Sequence, residues 1–156
     1  MPGMIADILV AGLAAMLIVA ITTDLRTRII PNRLNAAIAL LAVPFWFFSG
    51  LQLWPGIAIQ LALAAALFGL FALAFRFGAM GGGDVKLIAA LALWLPPAAM
   101  LKLLVIMSLA GGALTVAMML RHRLAKHGHP LEVPYGVAIA TGAFWLIGER
   151  YLNQFG

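Results

Sequence analysis

The sequence predicts an all-α, polytopic membrane protein with six transmembrane helices, the fourth of them short. Three observations predict it. Hydrophobic residues fill 65% of the 156 positions, charged residues only 10%, and mean hydropathy is +1.09; a soluble domain of this size cannot bury so much apolar surface. The apolar residues fall into runs that approach the ~20 residues a helix needs to cross a hydrocarbon core of ~30 Å. Between the runs lie short polar, Gly- or Pro-bearing breaks. A single unit over residues 1–156 holds all the runs, without an internal repeat. Cysteine is absent, so no disulfide framework, thiolate zinc site or cysteine nucleophile is available. The net charge of +5 is small and sits in loops, as an orientation signal would, and does not read as a nucleic-acid surface.

The first run is Met4 to Thr23. It has an early Asp7 and no preceding Lys or Arg. It therefore lacks the basic start of a secretory signal and is expected to be retained as a span. It leads into Thr22-Thr23-Asp24-Leu25-Arg26-Thr27-Arg28, after which Pro31-Asn32 reads as a turn or helix start. The second run, Leu34 to Trp54, contains Pro44, which removes a backbone hydrogen bond and predicts a kink. Ser49-Gly50 and Trp54-Pro55-Gly56 mark the next turn. The third run is Ile57 to Phe75, closed by Arg76, with Gln60 as its one strongly polar side chain.

Met80-Gly81-Gly82-Gly83-Asp84-Val85-Lys86-Leu87 follows, and the chain is organised around it. Three glycines interrupt regular helix and permit close backbone approach. An acidic residue at membrane depth is costly, which makes it a candidate functional group. The fourth run, Val85 to Leu95, rises only ~16 Å before Pro96-Pro97 stops it. A short helix behind a glycine break is irregular backbone at membrane depth. It is tolerated where protein buries it or where it lines a wet cavity, so a cleft is expected beside Asp84. The fifth run is Ala98 to Leu120, with Lys102 near its start and Gly111-Gly112 in its middle. The loop Arg121 to Pro130 is the most polar stretch. The last run, Val133 to Ile147, opens with Val133-Pro134-Tyr135-Gly136 and presents Gly136, Ala138, Ala140 and Gly142 for close helix packing.

Six crossings place alternate loops on opposite sides. Loops one, three and five carry Arg26, Arg28, Arg33, Arg76, Lys86, Arg121, Arg123 and Lys126, eight of the ten basic residues; Lys102 and Arg150 lie opposite. The positive-inside rule makes those three loops cytoplasmic and puts both termini outside. Asp24 and Asp84 then fall on the same, cytoplasmic face.

Two carboxylates held a few ångströms apart share one proton at working pH. The ionised member can take a proton from water while the protonated one donates to a carbonyl oxygen, which is peptide hydrolysis without a covalent intermediate. Glycines such as Gly81 and Gly83 let an extended substrate backbone approach. Simpler roles exist for each residue. Asp84 can cap the short helix, and Asp24 can pair with Arg28. Lys86, two residues from Asp84, can tune that carboxylate or merely follow the orientation rule. Asp7 and Glu149 read as solvated interface residues. His122, His127 and His129 read as part of a basic loop touching anionic headgroups, and no metal or other cofactor is expected.

These residues resemble a known family. Gly81-Gly82-Gly83-Asp84 fits the Gly-x-Gly-Asp signature of intramembrane aspartyl proteases, and the octapeptide from Met80 to Leu87 is similar to the version in type IV prepilin peptidases. Asp24 to Leu34, with its basic stretch and Ile30-Pro31-Asn32 turn, resembles the family's first aspartate motif. Val133-Pro134-Tyr135-Gly136 resembles a third element. The resemblance implies that Asp24 and Asp84 are the catalytic pair, that Gly81, Gly83 and Lys86 belong to the motif a substrate approaches, and that the substrate is a prepilin. Its short basic leader would be cut off at the cytoplasmic face of a bacterial inner membrane, with its apolar segment in the lipid bilayer and pilus-assembly machinery nearby. Bifunctional members add a cytoplasmic zinc-bearing region with paired Cys-x-x-Cys motifs and methylate the new amino terminus. This sequence has no cysteine and no loop to hold that region, so it is similar to the short, peptidase-only kind that serves Tad/Flp pili.

Two other classes fit parts of the pattern. A small proton-coupled transporter also uses broken helices and intramembrane carboxylates, though near the midplane and between repeated halves. A non-catalytic pilus-assembly protein would tolerate Asp to Asn at both positions.

Overall fold

The computed structural model describes residues 2–125 and 135–152. Six α-helices and no strand make up the described residues. They are α1 (Pro2–Thr27), α2 (Asn32–Phe48), α3 (Ala58–Arg76), α4 (Gly82–Ala92), α5 (Pro97–Ala125) and α6 (Tyr135–Leu152), with a π-helical turn over Leu53–Ile57 leading into α3. Among the described residues, three stretches are long and apolar enough to cross a membrane: Gly3–Thr27, Leu53–Arg76 and Pro97–Leu120. α2 is apolar but shorter, and α4 has only 11 residues.

The short helix is the hub. α4 packs against α2, α3, α5 and α6, and Val85, Leu87, Ile88, Leu91 and Ala92 are all buried. Of its eleven residues only Lys86 is exposed, so the shortest helix is largely enclosed by longer ones. Two tryptophans lock its far end to α2. Trp46 Nε1 donates to the Leu93 carbonyl at 2.6 Å, and Trp94 Nε1 donates to the Ile38 carbonyl at 2.9 Å. Phe45 stacks on Trp94, with ring centroids 4.8 Å apart. Many large hydrophobic side chains point outward, including Leu40, Phe47, Leu70 and Trp145, as they would toward lipid.

Several element ends differ from the sequence reading. α1 continues through Asp24 to Thr27, and the hydroxyls of Thr22, Thr23 and Thr27 turn back onto carbonyls four residues earlier, so these polar side chains are satisfied within the helix. α2 stops at Phe48, six residues before the end of its apolar run, where Gly50 takes a φ of 73°. α2 runs unbroken across Pro44. α5 carries on to Ala125, since the Arg and Leu residues after Leu120 are good helix formers. Glu149 is not simply solvated: Lys102 Nζ lies 2.7 Å from its Oε1. Val133-Pro134, Lys126, His127 and His129 lie outside the described residues.

Candidate active site

The first aspartate is placed by the turn between α1 and α2. Arg28 takes a left-handed φ of 56°, and its N–H donates to the Asp24 carbonyl at 3.0 Å, closing α1. The chain then passes through Ile29 and Ile30 to Pro31, which is extended and whose carbonyl accepts from Leu34 and Asn35 and starts α2. Asp24 is 5% exposed. Its Oδ2 accepts the Val137 N–H at 3.1 Å and also faces the N–H of Gly136. Both donors belong to the first turn of α6, where helix N–H groups have no internal partner. The buried carboxylate thus caps α6 from another helix.

The second aspartate sits in the first turn of α4 and is 8% exposed. The chain enters the helix through Gly81, the N-cap residue, and Asp84 reaches back to accept the Gly81 N–H. This is the carboxylate half of a capping box. The capping role weighed from the sequence is therefore real, and it does not compete with a chemical one. Each aspartate lies at the positive end of a helix, a favourable place for negative charge.

Ile30 holds the two halves together. It is 4% exposed. A Cβ on Gly83 would lie 3.1 Å from the Ile30 Cβ and 3.2 Å from its carbonyl oxygen, and a Cβ on Gly136 would lie 2.7 Å from the Ile30 Cδ1. The bare backbones of α4 and α6 close on this one side chain from two directions. A Cβ on Gly136 would also meet Asp24 Oδ2 at 2.8 Å.

Asp24 and Asp84, far apart in sequence, line one cavity of about 180 Å³ together with Arg28, Ile29, Ile30, Gly81, Gly82 and Gly83. They are close enough for the charge on Asp24 to act on Asp84, and Arg28 acts on Asp24. The cavity has room for several waters or a short extended stretch of main chain. Gly81 and Gly83, both singled out in the sequence, border it. Among the described residues, no group of three or more His, Cys, Asp or Glu side chains comes together.

Lys86 goes elsewhere. Its Nζ donates to Asn32 Oδ1 at 2.7 Å, and it faces a separate, mostly apolar groove of about 400 Å³ between α2, α3 and α4. Residues 84 and 86 point to opposite sides of a helix, so the larger groove is not the aspartate cavity. Lys86→Met is therefore expected to leave peptide cleavage near the wild-type rate, whereas a tuning role would show as a displaced pH–rate profile.

Residues 11–116 match the model of the type IV leader peptidase family. The chain belongs to the type IV leader peptidase family. The matched stretch contains both aspartates and the glycine turn and ends within α5. No curated protein and no solved structure matches the chain. Membership implies a peptidase with a prepilin substrate, and the apolar helices associate it with a membrane.

The sequence reading missed one polar group of this leader peptidase. Asn35 is buried, and its Nδ2 donates to the Gly83 carbonyl at 3.0 Å, tying α2 to the glycine turn. The available signal was a lone amide, one turn after Pro31, entering an apolar run. Asn35→Leu removes this bond, while the Gly83 carbonyl keeps its place in the first turn of α4, a net loss of about 1 kcal/mol. A lowered thermal midpoint in detergent, read by circular dichroism, is the expected result.

Proposed function

We propose that the protein is a membrane-embedded aspartic endopeptidase that removes the basic leader from Flp-type prepilins, with Asp24 and Asp84 as its catalytic pair. One observation carries this reading: two buried carboxylates from distant parts of the chain line the same small cavity beside a glycine turn. In this mechanism one carboxylate is ionised and takes a proton from a water between the pair. The resulting hydroxide attacks the scissile carbonyl carbon while the protonated partner donates to the carbonyl oxygen. The tetrahedral species then collapses, and the carboxyl that gained the water proton passes it to the departing amine. Gly81 has no side chain between its backbone and the Asp84 carboxylate, which lies within 2.9 Å of where a Cβ would stand, so an extended main chain can approach that carboxylate closely there.

The basic residues flanking this end of the bundle support a cytoplasmic orientation for the pair in a bacterial inner membrane, with both termini on the other side. The substrate then presents its leader to the cytoplasm and its apolar segment to the bilayer. Residues 1–156 act as a single peptidase unit. They contain no cysteine for the zinc-bearing region of bifunctional members, so the new amino terminus is expected to stay unmethylated. Incubation of the purified protein in lipid with a Flp-type prepilin tests the reading. Mass spectrometry should find one cut between leader and apolar segment, with an unmodified amino terminus on the product. Intact precursor with every prepilin tried would overturn it.

A further inference from the structure

Among the described residues, the cations at the end of the bundle away from the aspartates are Lys102, early in α5, and Arg150, in the last turns of α6. Both line one cavity of about 400 Å³. Its remaining walls include Trp94, Pro96, Ala99 and Leu146, which are apolar, and Glu149. Lys102 and Glu149 form an ion pair at 2.7 Å with side chains 57% and 36% exposed, so the pair is open to an incoming group. Arg150 is held differently. Its guanidinium carbon lies 5.5 Å from the centroid of the Phe45 ring, and that ring is stacked on the buried Trp94. The aromatic pair positions the guanidinium without neutralising it. The cavity's own lining carries one carboxylate against two cations.

Orientation rules disfavour basic residues at this end, yet both of those present converge on one concave site. The site offers a planar guanidinium suited to bidentate contact with phosphate, an ammonium group beside it, and an apolar wall continuous with the outer surface of the bundle. Inorganic phosphate would use the cations and leave the wall uncovered. An amphiphile would use both. We propose that this cavity binds the phosphate headgroup of an anionic phospholipid, with Arg150 and Lys102 on the phosphate and the start of an acyl chain along Pro96 and Ala99. Glu149 competes for Lys102 and repels the ligand, so it sets an upper limit on affinity. The site is separate from the aspartate cavity and does not depend on which peptide is cleaved.

Native mass spectrometry of the purified, delipidated protein tests this with three probes: phosphatidylglycerol, phosphatidylcholine and inorganic phosphate. Phosphatidylglycerol is expected to bind in preference to phosphatidylcholine, and millimolar phosphate is expected not to displace it. Lys102→Gln and Arg150→Gln should each weaken phosphatidylglycerol binding about fivefold, the usual effect of one basic residue near an anionic surface. Glu149→Gln should strengthen it. Equal retention of the two lipids by the wild type would overturn the proposal even if no variant folded. So would a Glu149→Gln protein that binds less, or displacement by inorganic phosphate, which would mark a free-anion site instead. The readout is binding alone, so failure here leaves the peptidase reading intact, and failure of cleavage leaves this site intact.

Discussion

Asp84→Asn is expected to lower the rate of prepilin cleavage by about 10³-fold, and Asp24→Asn by a similar factor, in line with the loss of a positioned acid or base. The asparagine side chain matches aspartate in shape and still offers a carbonyl oxygen. At position 84 that oxygen can accept the Gly81 N–H, and at position 24 the N–H groups of Val137 and Gly136. The capping roles survive while the proton chemistry does not. Each variant should therefore keep the helical signal and thermal midpoint of the wild type and lose only the reaction. Single-turnover cleavage read beside circular dichroism separates the two. If both variants unfolded, the aspartates would be chiefly structural caps. If either folded variant cleaved at the wild-type rate, that carboxylate would have no part in the chemistry.

Gly136→Ala carries the second large effect. Alanine is the better helix former by about 1 kcal/mol, so helix propensity alone predicts a neutral or stabilising change. The surroundings reverse that. The new methyl group would sit 2.7 Å from Ile30 Cδ1, 2.8 Å from Asp24 Oδ2 and 3.0 Å from its Cγ. Relief requires the Asp24 carboxylate or the start of α6 to move, and a displacement near 1 Å in a reacting group costs about 10²-fold in rate. The expected outcome is a fall of that order in kcat with the fold retained. Gly112→Ala serves as the control, because a Cβ there meets nothing within 4 Å; its activity should match the wild type. Equal activity in the two variants would show that Gly136 does not set the position of Asp24.

Much of this arrangement was legible in the residues. The hydropathy pattern separates the helical segments, although the short one starts within the glycine run at Gly82 and ends at Ala92, ahead of Pro96-Pro97, and Pro97 opens α5. The glycine break forecast a cleft at Asp84, and such a cavity is present. What periodicity could not reveal was contact between distant segments. Gly136 looked like one member of a small-residue helix face, but its bareness admits the Asp24 carboxylate and Ile30. Gly83 looked like an opening for substrate, and its missing side chain also admits the backbone of Ile30. Lys86 could be read as tuning Asp84 or as merely following the orientation rule, and helical geometry turns it to the opposite side and onto Asn32. Helix ends were misjudged where the helix and its apolar run part company: α1 runs on to Thr27, α2 stops at Phe48 inside its run, and α5 continues to Ala125. Hydropathy reports burial in lipid or protein and carries no record of where backbone bonding ends.

The claim at the centre of this account is that Asp24 and Asp84 act as one unit on one water. The cleavage rate of the Asp24→Asn, Asp84→Asn double variant, set against the two single variants, tests it most directly. Groups that share a single proton-transfer step are strongly non-additive, so the double variant should be no slower than the slower single variant. Losses that multiplied, to about 10⁶-fold from two losses of about 10³, would mean that the two carboxylates act independently, and the shared-water mechanism would be wrong.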